Sequence, residues 1–339
     1  MLTPRTLSAA QVLETGRAIE RMQAASGAIA WPDGHVDAWD HVECAMALSA
    51  CGRLEPALSA AARRAYGWLR RAQRADGSYP RSVVGGTVAD PAAEAHHAAY
   101  VAVGVWHEYL VTSDLAFVQL MWPTVRRAVE WTLALQVPRG EVRWERDATG
   151  APGEFALLSG CASIHQSLRC AVALGKVAGE PQPDWEQAAD QVGHVVAACP
   201  EAFADKSRFS MDWYYPVLGG AVRGAAAVAR LDASWDAFVV PSLGVRCVAD
   251  EPWVTVAETC ELALALDACG LSDRALAVFE TVNRQRLPEG TYWTGWQYRN
   301  SEPYPAECSS WTAAAVVLGY DALAGLSGGG GIFRDVPGS

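Results

Sequence analysis

Asp37 and Asp40 in Asp37-Ala-Trp-Asp40, Glu258 behind Trp253-Val-Thr-Val-Ala, and Glu307 are acids whose spacing permits a shared chemistry. They come into register when apolar stretches of the chain are laid over one another. Placing Cys51-Gly52 on Cys269-Gly270 carries Ala47-Leu48 onto Ala265-Leu266, Glu43 onto Glu261 and Asp40 onto Glu258. Placing Gly52 on Gly319 carries Asp40 onto Glu307; placing it on Gly175 carries Asp40 onto Ser163 and Glu43 onto Gln166. One position near the start of an apolar helix thus bears an acid in three copies. Any one such acid is also explained as a cap for free amides. Three coincident acids beside tryptophan-rich loops favour chemistry.

Two or three carboxylates in an aromatic cleft suit glycoside hydrolysis, in which a protonated acid supports the leaving oxygen and a carboxylate activates water or attacks. Asp40, beside Asp37 and His41 in a wetter loop, is expected to stay ionised and act as general base. Glu258, behind its apolar lead-in, is expected to be the protonated acid, with Glu307 as substitute for either. Glu43 and Glu261, one turn deeper, are expected to orient them. Acids on separate hairpins should stand roughly 6.5–9.5 Å apart, which implies inversion.

Tryptophan, with 14 residues, supplies flat rings that can cover the apolar faces of sugars. Trp39, Trp213, Trp253, Trp293 and Trp296, with Tyr214 and Tyr304, are expected around the cleft. His35, Asp37, His97, Tyr100, His165 and Asp212 are expected to bind hydroxyls between them, joined by His96, Gln166, Gln297 and Arg299. Rings that merely plug the molecule are the plainer alternative. No metal is expected: His96 and His97 are adjacent, and adjacent side chains on a helix diverge by about 100°. No cofactor is expected either.

A recurring phrase shows which elements must hold these residues. It is a Gln at a helix end, then Gly, then aromatics: Gln23 to Gly27 before Trp31, Gln73 to Gly77 before Tyr79, Gln136 to Gly140 before Trp144, and Gln285 to Gly290 before Tyr292. A spacing of roughly 50 residues implies about six copies of one supersecondary unit. The glycine is expected to stop the helix in a left-handed conformation. Amphipathic segments at about 8–24, 55–74, 115–136, 183–198 and 272–286 alternate with segments apolar nearly all round. The latter start near Asp40, Ala95, Ser159, Tyr215, Val254 and Glu307, and the one starting near Tyr215 includes the run Gly219 to Ala229. A short fifth amphipathic helix is expected near 231–240. Amphipathic outside and apolar inside, alternating six times, describes an all-α (α/α)6 barrel. It should be a single domain over 1–325 with a glycine-rich tail at 326–339, in which Gly328 to Gly331 are flexible and Ile332-Phe333 can clip back.

The net charge of −11 argues against nucleic acid as partner. No apolar run is long enough for a membrane span, and Met1 to Ser8 does not resemble a signal peptide. Nine cysteines without a Cys-x-x-Cys pair fit a reducing, cytoplasmic setting; Cys44, Cys51, Cys170, Cys260 and Cys269 read as small core residues. A monomer and a homodimer both suit the acidic composition.

Asp37-Ala-Trp-Asp40 at the head of the first inner helix resembles six-hairpin glycosidases, whose inverting cellulases carry Asp-Ala-Gly-Asp at that place. The resemblance implies Asp40 as general base, Asp37 as its helper and a glutamate of the C-terminal half as acid. The Gln-Gly phrases also resemble repeats of squalene cyclases and prenyltransferases, but the Asp-x-Asp-Asp motif and a zinc set are missing. The chain is also similar to actinobacterial proteins labelled prenyltransferase-like, which include mycobacterial hydrolases of methylated mannose polysaccharides; this implies an endo-mannanase. A terpenoid cyclase or prenyl enzyme, and a non-catalytic carbohydrate-binding barrel, stay open as alternatives.

Overall fold

The computed structural model describes residues 7–338. Six inner helical positions follow one another around a closed ring: α2 (Ala38–Cys51), the pair α4 (Ala95–Ala99) and α5 (Val101–Thr112), α7 (Leu158–Ala178), α9 (Ser210–Leu218), α12 (Val256–Ala268) and α14 (Ser310–Ala324). Each packs on the next, and α14 packs back on α2. Six outer positions back them: α1 (Ala9–Met22), α3 (Pro56–Ala72), α6 (Leu115–Leu133), α8 (Pro183–Ala198), α10 (Gly224–Ala233) with the short α11 (Trp235–Phe238), and α13 (Ser272–Phe279) running into a 3-10 turn. This is the (α/α)6 barrel expected from the alternation.

The reason lies in the side chains. In α2 and α12 nearly every residue is buried, so neither has a wet face, and their Ala and Cys residues let inner helices approach closely. In α3 the buried Leu58, Ala62, Ala65 and Leu69 recur every three or four residues, leaving Arg63, Arg64, Arg70 and Arg71 to the outer face. Burying such a stripe contributes about 25 cal/mol per Å² of apolar surface.

The Gln-Gly phrase is the clasp between successive hairpins. Gln23, Gln73 and Gln136 each donate to the carbonyl of their own Gly27, Gly77 or Gly140, and also to Ala61, Thr124 or Ala188 of the next outer helix. The glycine does not end the helix as expected; the Gln cap does, in extended conformation. Gly77 instead sits at φ +99° in the following turn, where a Cβ would collide with the carbonyl oxygen of Arg127. Gly290, at φ +91°, lies against the backbone of Glu14 in α1, so the last clasp closes the ring on the first helix.

The fifth hairpin departs from expectation. The run 219–229 is not one buried helix: α9 ends at Leu218 and α10 begins at Gly224, with Gly224, Ala225 and Ala226 exposed. Alanine-rich composition cannot separate an interior helix from a solvated one. Short strands also appear where loops were expected. They are β1 (His35–Val36), β2 (Ser82–Val84), β3 (Thr87–Asp90), β4 (Ala93–Glu94), β5 (Glu145–Arg146), β6 (Val239–Val240), β7 (Gly244–Arg246), β8 (Trp253–Thr255), β9 (Gly295–Gln297) and β10 (Glu302–Pro303). They form antiparallel sheets ordered β1-β2-β3, β4-β5 and β10-β9-β8-β7-β6. Strands β1, β4 and β8 lead directly into α2, α4 and α12, so the sheets lie at the N-terminal end of the inner ring.

At the opposite end the tail returns to the barrel, and Ile332-Phe333 clip back onto it as expected. Ile332, Phe333 and Val336 are buried. Gln166 donates to the Ile332 carbonyl at 3.2 Å, Arg223 to the Phe333 carbonyl at 2.8 Å, and Arg334 pairs with Asp267 at 2.9 Å. The glycines permit this fit: a Cβ on Gly329 would press on the His107 ring.

Candidate active site

A cavity of about 730 Å³ opens at the N-terminal end of the inner helices. Asp37, Trp39 and Asp40 of the α2 start, Glu94, His96 and His97 of the α4 start, Ser159 and Gly160 of α7, Met211 of α9 and Trp311 of α14 line it. Trp31, Asp33, His35, Arg81 and Trp144 complete the rim from the connecting loops. Trp31 is stacked between His35, with centroids 5.2 Å apart, and Trp311, at 6.1 Å.

Asp37 accepts from the Asp40 amide at 2.9 Å and so starts α2, which aims Asp40 into the cavity one turn on. Asp40 accepts from the Trp31 indole at 2.7 Å. Burial, then the Asp37 charge and then Glu43 hold the Asp40 carboxyl well above the usual carboxylate range. This favours the protonated form of Asp40, where an ionised base had been expected. The loop expected to be wet is roofed by indoles, and Asp37 repels a second charge.

Glu94 is the opposite case. It receives Arg81 Nε on Oε1 at 2.7 Å and Trp144 Nε1 on Oε2 at 3.1 Å. Burial disfavours its charge, but His97, His96 and Arg81 together hold it below the ordinary range. Burial and the neighbouring His97 push His96 down to about 3. Contrary to the divergence expected of adjacent residues, His96 and His97 meet, with ring centroids 4.5 Å apart. Glu94 is the N-cap of α4 and makes no side-chain capping bond; its Oε2 instead lies 3.4 Å from His96 Nε2 and 3.5 Å from His97 Nε2. Glu94, His96 and His97 thereby bring one ligand atom each within 4.8 Å of one another.

Beneath the cavity lies a buried polar plug. Glu43 accepts from Trp39 Nε1 at 3.2 Å and Tyr100 Oη at 3.0 Å. Glu261 accepts from the hydroxyls of Tyr214 and Tyr215. Burial pushes Glu43 up to about 7, and burial with the nearby Glu43 raises Glu261 well above its ordinary range. Glu43 and Glu261 thus hold the tyrosines at the barrel centre; neither hydrogen-bonds Asp40 or Glu258, as had been expected of them.

The α2–α12 register is reproduced by the helix starts: Asp37 and Thr255 are the N-caps, and Asp40 and Glu258 each stand three residues on. Glu258 is buried in α12 and, unlike Asp40, lies outside the lining of the cavity, so the two are not brought together there as had been expected; its Oε2 has no hydrogen-bond partner. The Gly52–Gly319 match slips. Gly52 caps α2, whereas Gly319 lies inside α14 against Phe279, so the two glycines do different work. Glu307 accordingly precedes α14 in a loop, outside the cavity lining, and its carbonyl accepts from Thr294.

Of the expected binding residues, His35, Asp37, Trp39 and His97 line the cavity, and Tyr100 and Tyr214 belong to the plug. His165 faces the other way, bonded to the Gly219 carbonyl at 2.9 Å and packed on Gly193 of α8. Asp212 and Trp213 line a second cavity of about 800 Å³. Trp253 and Trp296 are on the five-stranded sheet, where Trp253 meets Tyr304 edge to face at 5.2 Å; Trp293 is half-buried just before it. Gln166 is taken by the tail. The sequence reading missed Arg81, Glu94 and Trp311 as site residues, although Trp311 opens an apolar helix after Ser309-Ser310, a recognisable cap.

No protein-family profile matches the chain. It is 50% identical over 334 residues, 98% of the chain and 91% of the relative, to the MMP endo-(1,4)-3-O-methyl-alpha-D-mannosidase of Mycolicibacterium hassiacum. Solved structures share the fold at low identity. A glycosidase superposes with TM-score 0.72 at 17% identity, covering 95% of this chain and 100% of that one. A GH63 mannosylglycerate hydrolase from Thermus thermophilus superposes with TM-score 0.65 at 13%, covering 91% and 99%. A D-mannose isomerase superposes with TM-score 0.70 at 10%, covering 94% and 97%. The cyclase and binding-only readings fall away, and the chain belongs to the glycoside hydrolase family of the Mycolicibacterium mannosidase.

Proposed function

We propose that the protein cleaves internal α-(1,4) bonds of a 3-O-methylmannose chain, with Asp40 as general acid and Glu258 as general base. The observation that carries the substrate is the 50% identity maintained over 98% of the chain. The cavity agrees with it: methyl ethers replace hydroxyl donors with apolar surface, and Trp31, Trp39, Trp144, Trp311, Met211 and Leu157 offer a matching apolar lining. Endo action needs room for a long chain. Consecutive residues Leu157 and Leu158, and Met211 and Asp212, line the first and second cavities, which supports one run of sugar sites across both.

The division of roles follows from protonation and partners. Asp40 Oδ2 is engaged by Trp31, which leaves Oδ1 to carry the proton toward the glycosidic oxygen. Glu258 Oε2 has no protein hydrogen-bond partner, which leaves it free to act on a water admitted beside it when substrate binds. Glu94, with both oxygens bonded, is better suited to anchoring sugar than to taking protons. In this proposal a water stands between the two carboxylates, which makes the reaction inverting. The free state of all nine cysteines supports a reducing, cytoplasmic setting.

Asp40→Asn and Glu258→Gln should each lower kcat on the methylmannose chain by about 10²–10⁴-fold, with folding unchanged by circular dichroism. Near-wild-type turnover in either variant removes that residue from the mechanism. Proton NMR of the first product should show the inverted anomer; a retained anomer refutes the water-mediated route.

A further inference from the structure

We infer that Glu94, His96 and His97 form a binding site for one zinc-like divalent ion in the wall of the cleft. The inference is independent of the hydrolase reading. Glu94 Oε2 lies 3.4 Å from His96 Nε2 and 3.5 Å from His97 Nε2. Around a tetrahedral ion with bonds of about 2.0–2.1 Å, ligand atoms stand about 3.3–3.4 Å apart, so two edges of the triangle are already at coordination spacing. The three ligand atoms all fall within 4.8 Å of one another, so closing the third edge requires only a small turn of an imidazole.

The surroundings are those of a held ligand set. Arg81 fixes Glu94 through Oε1 and leaves Oε2 turned toward the imidazoles. Arg81 itself is shared with Asp90 and Glu145, so its charge is neutralised without Glu94. Trp144 donates to the ligating oxygen, the kind of outer contact that fixes a metal-bound carboxylate. Trp39 packs edge-on to both rings, at 4.7 Å and 6.1 Å, which restricts their rotation.

Two imidazoles and one carboxylate select Zn2+, Co2+ or Ni2+ over Mg2+ and Ca2+, which prefer all-oxygen shells. All three side chains line the cavity, so the remaining coordination position faces the sugar channel and takes water or a sugar hydroxyl. Three protein ligands and one open position is the arrangement of exchangeable rather than closed zinc sites.

The test is calorimetric titration of Zn2+ into the chelator-treated full chain, with Co2+ absorption as a second readout. One ion per chain should bind saturably, and Co2+ should give the visible bands of a four-coordinate site. His96→Ala/His97→Ala should weaken Zn2+ at least tenfold, whereas His35→Ala, beside Asp33 on the same rim, should leave it unchanged. Should the double variant not fold, Glu94→Gln decides by the same criterion. Absence of saturable binding to the wild-type chain overturns the site. So does affinity that survives in folded His96→Ala/His97→Ala or Glu94→Gln, or that is lost in His35→Ala.

Discussion

Asp37→Asn separates the two roles that Asp40 could play. Asn caps a helix about as well as Asp, so the bond to the Asp40 amide and the start of α2 should survive. What disappears is a negative charge beside a carboxyl already raised by burial. Two unit charges in close contact interact by about 1 kcal/mol in water and about 4 kcal/mol at the effective dielectric near a protein surface. Removing the Asp37 charge should therefore lower the Asp40 pKa. If Asp40 is the acid, activity requires its protonated form, which the variant loses earlier as pH rises. The alkaline limb of kcat/KM therefore moves to lower pH while the acidic limb stays. If Asp40 were the base, the acidic limb would move to lower pH instead and activity would extend into acid. A pH–rate profile of both enzymes on one oligosaccharide tells these apart. An acidic-limb shift, or two unmoved limbs, refutes the assignment of Asp40 as acid.

Glu43→Gln keeps an acceptor for Trp39 and Tyr100 and removes a buried charge. Because the Glu43 pKa is raised from 4.5 to about 7 on folding, the folded wild type loses stability as pH rises through that window. The variant's gain in melting temperature should grow from pH 4.5 to 7 and then level off; a gain that is constant with pH contradicts this. Gly77→Ala must hold φ +99° and meet the Arg127 carbonyl, so strain and overpacking should cost about 2–5 kcal/mol. Gly179→Ala, also at positive φ but with open space around it, should cost only about 1–2 kcal/mol; equal losses in thermal melts would show that the clasp contact is unimportant. Trp213→Ala should weaken long substrates more than short ones if the second cavity carries sugar sites, visible as a rise in KM confined to longer chains.

The barrel was legible in the sequence because burial on all sides and burial on one side leave different residue patterns. Helices such as α2 and α12 cannot carry charge on any exposed face, and α3 must segregate its arginines. The α2–α12 register was legible for the same reason, since Gly52 and Gly270 follow helices that begin at equivalent caps. Where a glycine served another purpose, as Gly319 does against Phe279, the alignment slipped and Glu307 was misplaced. Only the tertiary structure decided the direction and environment of side chains. His165 on an inner helix turned to its outer neighbour, while Glu94 and Arg81, from a connecting segment with no periodicity, entered the cleft. Protonation was least legible of all. The local residues around Asp40 read as polar, and Asp37 and Glu43 three residues to either side do raise its carboxyl, but the largest cause is burial, which only the packed barrel supplies. Periodicity records which face of an element is buried; what that face meets is set by elements far away in the chain.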